Sequence, residues 1–122
     1  MIGERASDYK WFYCLQVGYV NGHYSLALCG YDDNGEWIEG QPVVIQNSWQ
    51  AIELEWQASS APGANDGLMK LWINDGLMDT LQNLDNDSGS IALTYLGVDS
   101  DLDAGTSGTI YFDSYALSGM LG

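Results

Sequence analysis

Basic residues are nearly absent from this sequence. Arg5, Lys10 and Lys70 are the only three, against 17 acidic residues, and the formal charge is −14. Three scattered cations cannot track a phosphate backbone, which argues against nucleic-acid binding. The same charge disfavours adsorption to an anionic bilayer. Also missing is any run approaching the roughly 20 apolar residues of a membrane helix, so no membrane insertion is expected. Met1 to Asp8 lacks an apolar segment, so no signal peptide is visible and these eight residues are expected as an N-terminal tail. Histidine occurs once, as His23 beside a turn. A lone histidine without an adjacent nucleophile makes no triad, and two cysteines with one histidine do not complete a zinc set. Helical spacing is absent too, because apolar residues recur at a spacing of two nearly everywhere.

What is present is apolar and rich in turns. Hydrophobic residues make up 46% of the chain, with five Trp, eight Tyr and 15 Gly. That suits one globular domain of short strands, expected over residues 9–118. Residues 9–19 alternate, with Trp11, Tyr13, Leu15, Val17 and Tyr19 on one face and Phe12, Cys14, Gln16 and Gly18 on the other. Asn21-Gly22 is a strong hairpin signal. If it is a two-residue turn, Val20 faces His23 and Cys14 faces Cys29, with Cα atoms about 5.5 Å apart. That pair suits a disulfide contributing roughly 3 kcal/mol and implying an oxidising compartment. The alternative is two half-buried thiols acting as small hydrophobes.

Strands are further expected at Glu36–Glu39, Val43–Ile45, Ile52–Trp56, Leu68–Ile73, Leu77–Leu81, Ile91–Val98 and Thr109–Leu117. Asn74-Asp75-Gly76 reads as a three-residue hairpin loop with Gly in the left-handed position. About nine strands between polar turns predict an all-β, antiparallel two-sheet sandwich.

The stretch from Trp49 to Gly76 carries the most information. Its runs Ile52-Glu-Leu-Glu-Trp56, Ala61-Pro-Gly-Ala-Asn-Asp-Gly67 and Leu71-Trp-Ile-Asn-Asp-Gly76, with Leu84-Asp-Asn-Asp87 and the closing Asp103-Ala-Gly-Thr-Ser-Gly108 and Thr109-Ile-Tyr-Phe-Asp113, resemble bacterial laminin G-like domains of the concanavalin A-like lectin/glucanase superfamily. The resemblance implies a jelly-roll-like sandwich and an extracellular or cell-surface module that binds glycans or other surface ligands, often with calcium. Further strands normally precede this segment in that family. The resemblance therefore covers roughly the C-terminal two thirds of the usual sandwich, and a second copy or another chain is expected to cover the remaining face, as in a homo-oligomer.

Candidate sites follow from residue chemistry. Glu53 and Glu55 share a strand face as a glycosidase pair would. Yet the further acidic residue of the glucanase motif is absent, and alternation alone places both in solvent, so no enzyme activity is expected. For calcium (Ca2+), the alternating carboxylates Asp99, Asp101 and Asp103 suit oxygen coordination, though Ala104 and Ile110 rule out an EF-hand. Asp113 matches the last-strand Asp of the resembled family, where it often lies near a metal. Asp85 and Asp87 form a second acidic cluster; the alternative for all of these is solvated Asp in turns. Sugar faces stack on exposed aromatics while amides and carboxylates bond hydroxyls. Tyr31 and Trp37, flanking the Asp32-Asp-Asn-Gly35 turn, are the expected platform, with Phe12 and Gln16 on the more polar face of the first hairpin. Trp56 and Trp72 are expected in the core.

Overall fold

A computed structural model describes residues 1–5, 10–98 and 102–119. It contains nine antiparallel strands and, among the described residues, no helix. These are β1 (Ile2–Arg5), β2 (Trp11–Val20), β3 (His23–Tyr31), β4 (Trp37–Glu39), β5 (Val43–Ile45), β6 (Ile52–Gln57), β7 (Gly67–Ile73), β8 (Gly76–Leu84) and β9 (Ile91–Tyr95). Six strands form one sheet in the order β4-β3-β2-β1-β9, with β5 beside β4 on the same edge of β3. The other three form a sheet in the order β6-β7-β8. The two sheets face each other across one apolar core, as expected for an all-β sandwich.

That core is built by alternation. In β7 the odd residues Met69, Leu71 and Ile73 are buried and the even ones only half so. They meet Tyr13, Leu26 and Leu28 of the larger sheet, and Leu84 closes the cluster. On the outer surface of β7, Lys70 pairs with Glu55 at 3.5 Å and lies over the Trp72 ring at 5.7 Å. Glu53 and Glu55 thus sit on an open sheet surface, one of them in an ion pair. Trp72 lies on that surface and not in the core. Trp56 is half-buried against Phe12, and its buried Nε1 has no hydrogen-bond partner among the described residues.

The Asn21-Gly22 turn sets the β2–β3 register as the sequence predicts, from Val20↔His23 to Cys14↔Cys29. The two cysteines are joined as a disulfide with a Cα separation of 4.9 Å. Both turn residues have positive φ, 52° and 82°, as a type I′ turn requires.

Four expectations need correction. Ile2–Arg5 is not a tail: it forms a strand between β2 and β9. Ile2 packs against the disulfide and Met1 against the main core, and these contacts with the ladders to β2 and β9 hold a segment with no periodic pattern. Second, the Asn74 turn has two central residues, because Ile73 pairs with Gly76. Asn74 and Asp75 take positive φ themselves, 51° and 66°, which Asn and Asp tolerate better than other non-glycine residues. Third, Thr109–Leu117 forms no strand and is exposed throughout. Alternation assigns faces to a segment but supplies no partner edge. Fourth, a bulge interrupts β2: Gly3 pairs with Tyr13 and Glu4 with Trp11, leaving Phe12 as the extra residue. Phe12 therefore turns to the interior with Tyr13, stacking on Trp56 at 5.7 Å. Trp11 turns to the opposite face, against Ile2 and the disulfide.

Candidate acidic cluster and aromatic face

The segment joining β3 to β4 begins and ends on an aromatic residue. Tyr31 and Trp37 pair across the two strands, with ring centroids 5.0 Å apart in an edge-on arrangement. Trp37 is 42% exposed, and its indole N–H donates to Glu39 at 3.3 Å. Between the two aromatics the chain turns tightly. Asp32 holds the turn: its backbone N–H donates to the Glu36 carbonyl, its carbonyl accepts from Gly35, and its carboxylate accepts the Glu36 N–H at 2.8 Å. Gly35 takes φ +80°, a conformation glycine adopts without strain.

With Asp32 committed to the turn, Asp33 projects toward the loop after β8. Its backbone N–H donates to the Asp85 carbonyl at 2.8 Å. Its carboxylate accepts the N–H and the hydroxyl of Ser88. Asn34 donates to the Asp85 carboxylate at 3.0 Å. The result is a group of three half-buried carboxylates, Asp33, Asp85 and Asp87, with one oxygen from each within 4.8 Å of the others.

The 85–87 loop is fixed from inside. Asn86 is only 2% exposed. Its carbonyl oxygen accepts the Ser59 N–H at 2.7 Å, and its amide donates to the Gln57 carbonyl at 3.2 Å. Ser59 in turn donates its hydroxyl to the Leu84 carbonyl and accepts the Gly67 N–H. A side chain at Gly67 would collide with Asn86, so glycine is what lets Asn86 lie there. With Asn86 turned inward, its neighbours Asp85 and Asp87 project outward toward Asp33.

Three carboxylates at such separations repel. Each pair costs about 1 kcal/mol in bulk water and about 4 kcal/mol at the effective dielectric of a protein surface. The Lys10 ammonium lies by the same turn: a Cβ on Gly35 would lie 3.2 Å from its Nζ. The carboxylates keep further lone pairs beyond those used by Ser88 and Asn34, and hard oxygen donors of this kind could hold a metal ion.

Gln16 is exposed and lies on the same face of the larger sheet as Tyr31 and Trp37, with the disulfide between. Phe12 does not, because the bulge buries it at 1% exposure. Trp11 takes its place on that face, with its indole N–H on Glu4 at 3.3 Å. Of the expected calcium residues, Asp99 and Asp101 lie outside the described residues. Asp103 and Asp113 are exposed and join no acidic group among those described. The acidic group that does form draws on a turn and a loop 52 residues apart in number (33 to 85), which no local pattern links. The signal available was the Asp-Asn-Asp spacing at 85–87, which sets two carboxylates about one inward amide. No protein-family model, curated protein or solved structure matches this chain.

Proposed function

We propose that this domain is a non-catalytic, extracellular binding module that recognises a glycan or surface ligand through the Tyr31–Trp37 face, with calcium held by Asp33, Asp85 and Asp87. The observation that carries the reading is that Asp33 lies on the short turn between the two aromatics. A cation on the acidic group would stiffen that turn and so fix the platform, which couples metal to ligand. Calcium is the favoured ion because every side-chain donor in the group is an oxygen, and coordination by six to eight oxygens is what calcium takes. The Cys14–Cys29 disulfide is compatible with an extracellular setting. The sequence resemblance to laminin G-like domains supports the same reading, and a jelly-roll-like arrangement is proposed with it. Asp103 and Asp113 remain proposed as a further calcium position of that kind.

The test is a calcium titration followed by thermal denaturation, paired with glycan-array binding in calcium and in EDTA. Calcium should raise the melting temperature of the native chain and not that of Asp85→Asn/Asp87→Asn. Array binding should need calcium and be lost in Trp37→Ala. No thermal shift would remove the metal, and array binding undiminished in Trp37→Ala would remove the platform.

A second reading is a self-assembling subunit, favoured by one observation. Ile110, Tyr111, Phe112, Tyr115 and Leu117 are exposed on a segment with no strand partner. The ends of the larger sheet, at β4/β5 and β9, are edges open to an added strand. Light scattering that finds only a 13.3 kDa monomer at all concentrations would refute it.

A further inference from the structure

We propose that the far end of the β2–β3 hairpin carries a second binding site, built for a neutral saccharide of one or two units. Tyr19 and Tyr24 pair across the hairpin with ring centroids 4.8 Å apart. They are 63% and 41% exposed. By alternation Tyr24 lies on the same face as Leu26 and Leu28, whose side chains enter the core. Tyr24 lies at the margin of that core, 41% exposed, where its partner Ile45 still packs against the cluster. Ile45 pairs with Tyr24 from the other side and extends the surface by one strand. Gln46 and Asn47 follow directly, and His23 closes the end. These residues, with Gly22, line an open cavity of about 380 Å³.

Three features set the ligand class. The volume lies at the low end of the roughly 300–1,000 Å³ of small-ligand sites, the size of a mono- or disaccharide. The lining contains no Asp, Glu, Lys or Arg, in a chain with 17 acidic residues. A charged sugar or a cation would find no counter-ion there, and an anion would meet the net charge of the whole chain. Finally, the composition is mixed in the way a pyranose is mixed. Aromatic rings offer an apolar face for axial C–H groups, while two side-chain amides, two phenol hydroxyls and an imidazole offer donors and acceptors for ring hydroxyls. The type I′ turn and the paired strands hold both tyrosines in place before ligand arrives.

This site shares its ligand class with the glycan reading above but none of its residues. Tyr24 and Tyr31 are seven positions apart on β3, about 23 Å at strand rise, and lie on opposite faces. It also needs no metal.

The experiment is an amide-resolved NMR titration of the full chain in EDTA. The probes are methyl glycosides of glucose, galactose, mannose and N-acetylglucosamine, and their α- and β-linked disaccharides. Shifts are expected at residues 19–24 and 45–47 with at least one probe, unchanged in Trp37→Ala. Tyr19→Ala should weaken them roughly three- to tenfold. Asn47→Ala, which leaves the ring pair untouched, should weaken them too, so a loss from hairpin fraying alone is distinguishable. No shift at these amides with any probe, or shifts undiminished in both variants, would overturn the proposal. The calcium-linked face fails or survives separately, through Trp37→Ala and EDTA.

Discussion

Replacing Asn86 by alanine is the sharpest single test of how the acidic loop is held. The side chain is buried and has two backbone partners, the Ser59 N–H at 2.7 Å and the Gln57 carbonyl at 3.2 Å. Ser59 is itself buried, so its N–H would lose its partner with no route to water, at about 1–3 kcal/mol. Gln57 is exposed and water can replace the lost donor, so that bond adds about 1 kcal/mol at most. The sum is about 1–4 kcal/mol, a large share of the 5–15 kcal/mol typical of a domain. At roughly 4 °C per kcal/mol for this size, thermal unfolding should shift down by about 4–16 °C. Circular dichroism melts of Asn86→Ala against the native chain, both in EDTA, read this directly. Calcium should then restore less stability to the variant than to the native chain, because Asp85 and Asp87 have lost their anchor. A shift below about 3 °C would refute the hub, since it would mean that Ser59 finds another acceptor at no cost.

Three further expectations are independent of that loop. The Cys14→Ala/Cys29→Ala variant should lose about 3 kcal/mol, from freeing a 15-residue separation; reductant should lower the melting temperature of the native chain and leave the variant unmoved. Gly30→Ala should cost about 3 kcal/mol or more, because its Cβ would collide with the backbone carbonyl of Phe12, which sits in the bulge and cannot yield as a side chain would; urea melts measure it, and a loss below about 1 kcal/mol would count against the bulge. Burial raises the Tyr13 phenol above its ordinary range, a hydrogen bond with Thr94 at 3.0 Å partly opposing this. The unfolded chain then ionises near pH 10 while the folded one keeps its proton. Stability is full below that pH and declines as pH rises past it. Tyr13→Phe should flatten the alkaline decline in pH-dependent melts, and an unchanged slope would show that the phenol ionises freely when folded.

What the sequence disclosed, and what it did not, follows the range of the forces involved. The hairpin at Asn21-Gly22 is local, and a two-residue turn propagates its register without error for seven pairs, from Val20↔His23 out to the disulfide. The alternation of β7 is likewise local and became the core. The bulge at Phe12 is not local, because it depends on a partner strand, and within that strand Ile2 is the one large apolar residue, which makes no pattern. One displaced residue then exchanged two aromatics, sending Phe12 inward and Trp11 outward. The same limit explains Thr109–Leu117, where the pattern is present and the partner edge is not. Asp33, Asp85 and Asp87 are the extreme case, since only tertiary contact joins them.

The structure divides the acidity of this chain by task. Asp32 and Asp66 each cap their own turn, Asp32 on Glu36 and Asp66 on the N–H and hydroxyl of Ser60. Those Ser60 bonds hold the Asp66 carboxyl below its usual range. Asp79 crosses between the sheets to accept the Gln41 N–H at 3.2 Å, against Gly40 where a side chain would collide. Glu4 and Glu39 accept from the indoles of Trp11 and Trp37, and Glu55 pairs with Lys70. Each of these carboxylates has a donor of its own, and none of them belongs to the acidic group. Asp33 and Asp85 have donors as well, so want of hydrogen bonds does not set their group apart. What does is convergence: three negative charges are brought together by the same buried amide that holds the loop, where a solubilising surface would spread them. Asn86, Ser59 and Gly67 hold that arrangement, and the group could hold a metal ion at its centre. The calcium melt of Asp85→Asn/Asp87→Asn tests for it: an ion there stabilises the native chain and leaves the variant unmoved, whereas equal melts of the two with and without calcium leave the group without one.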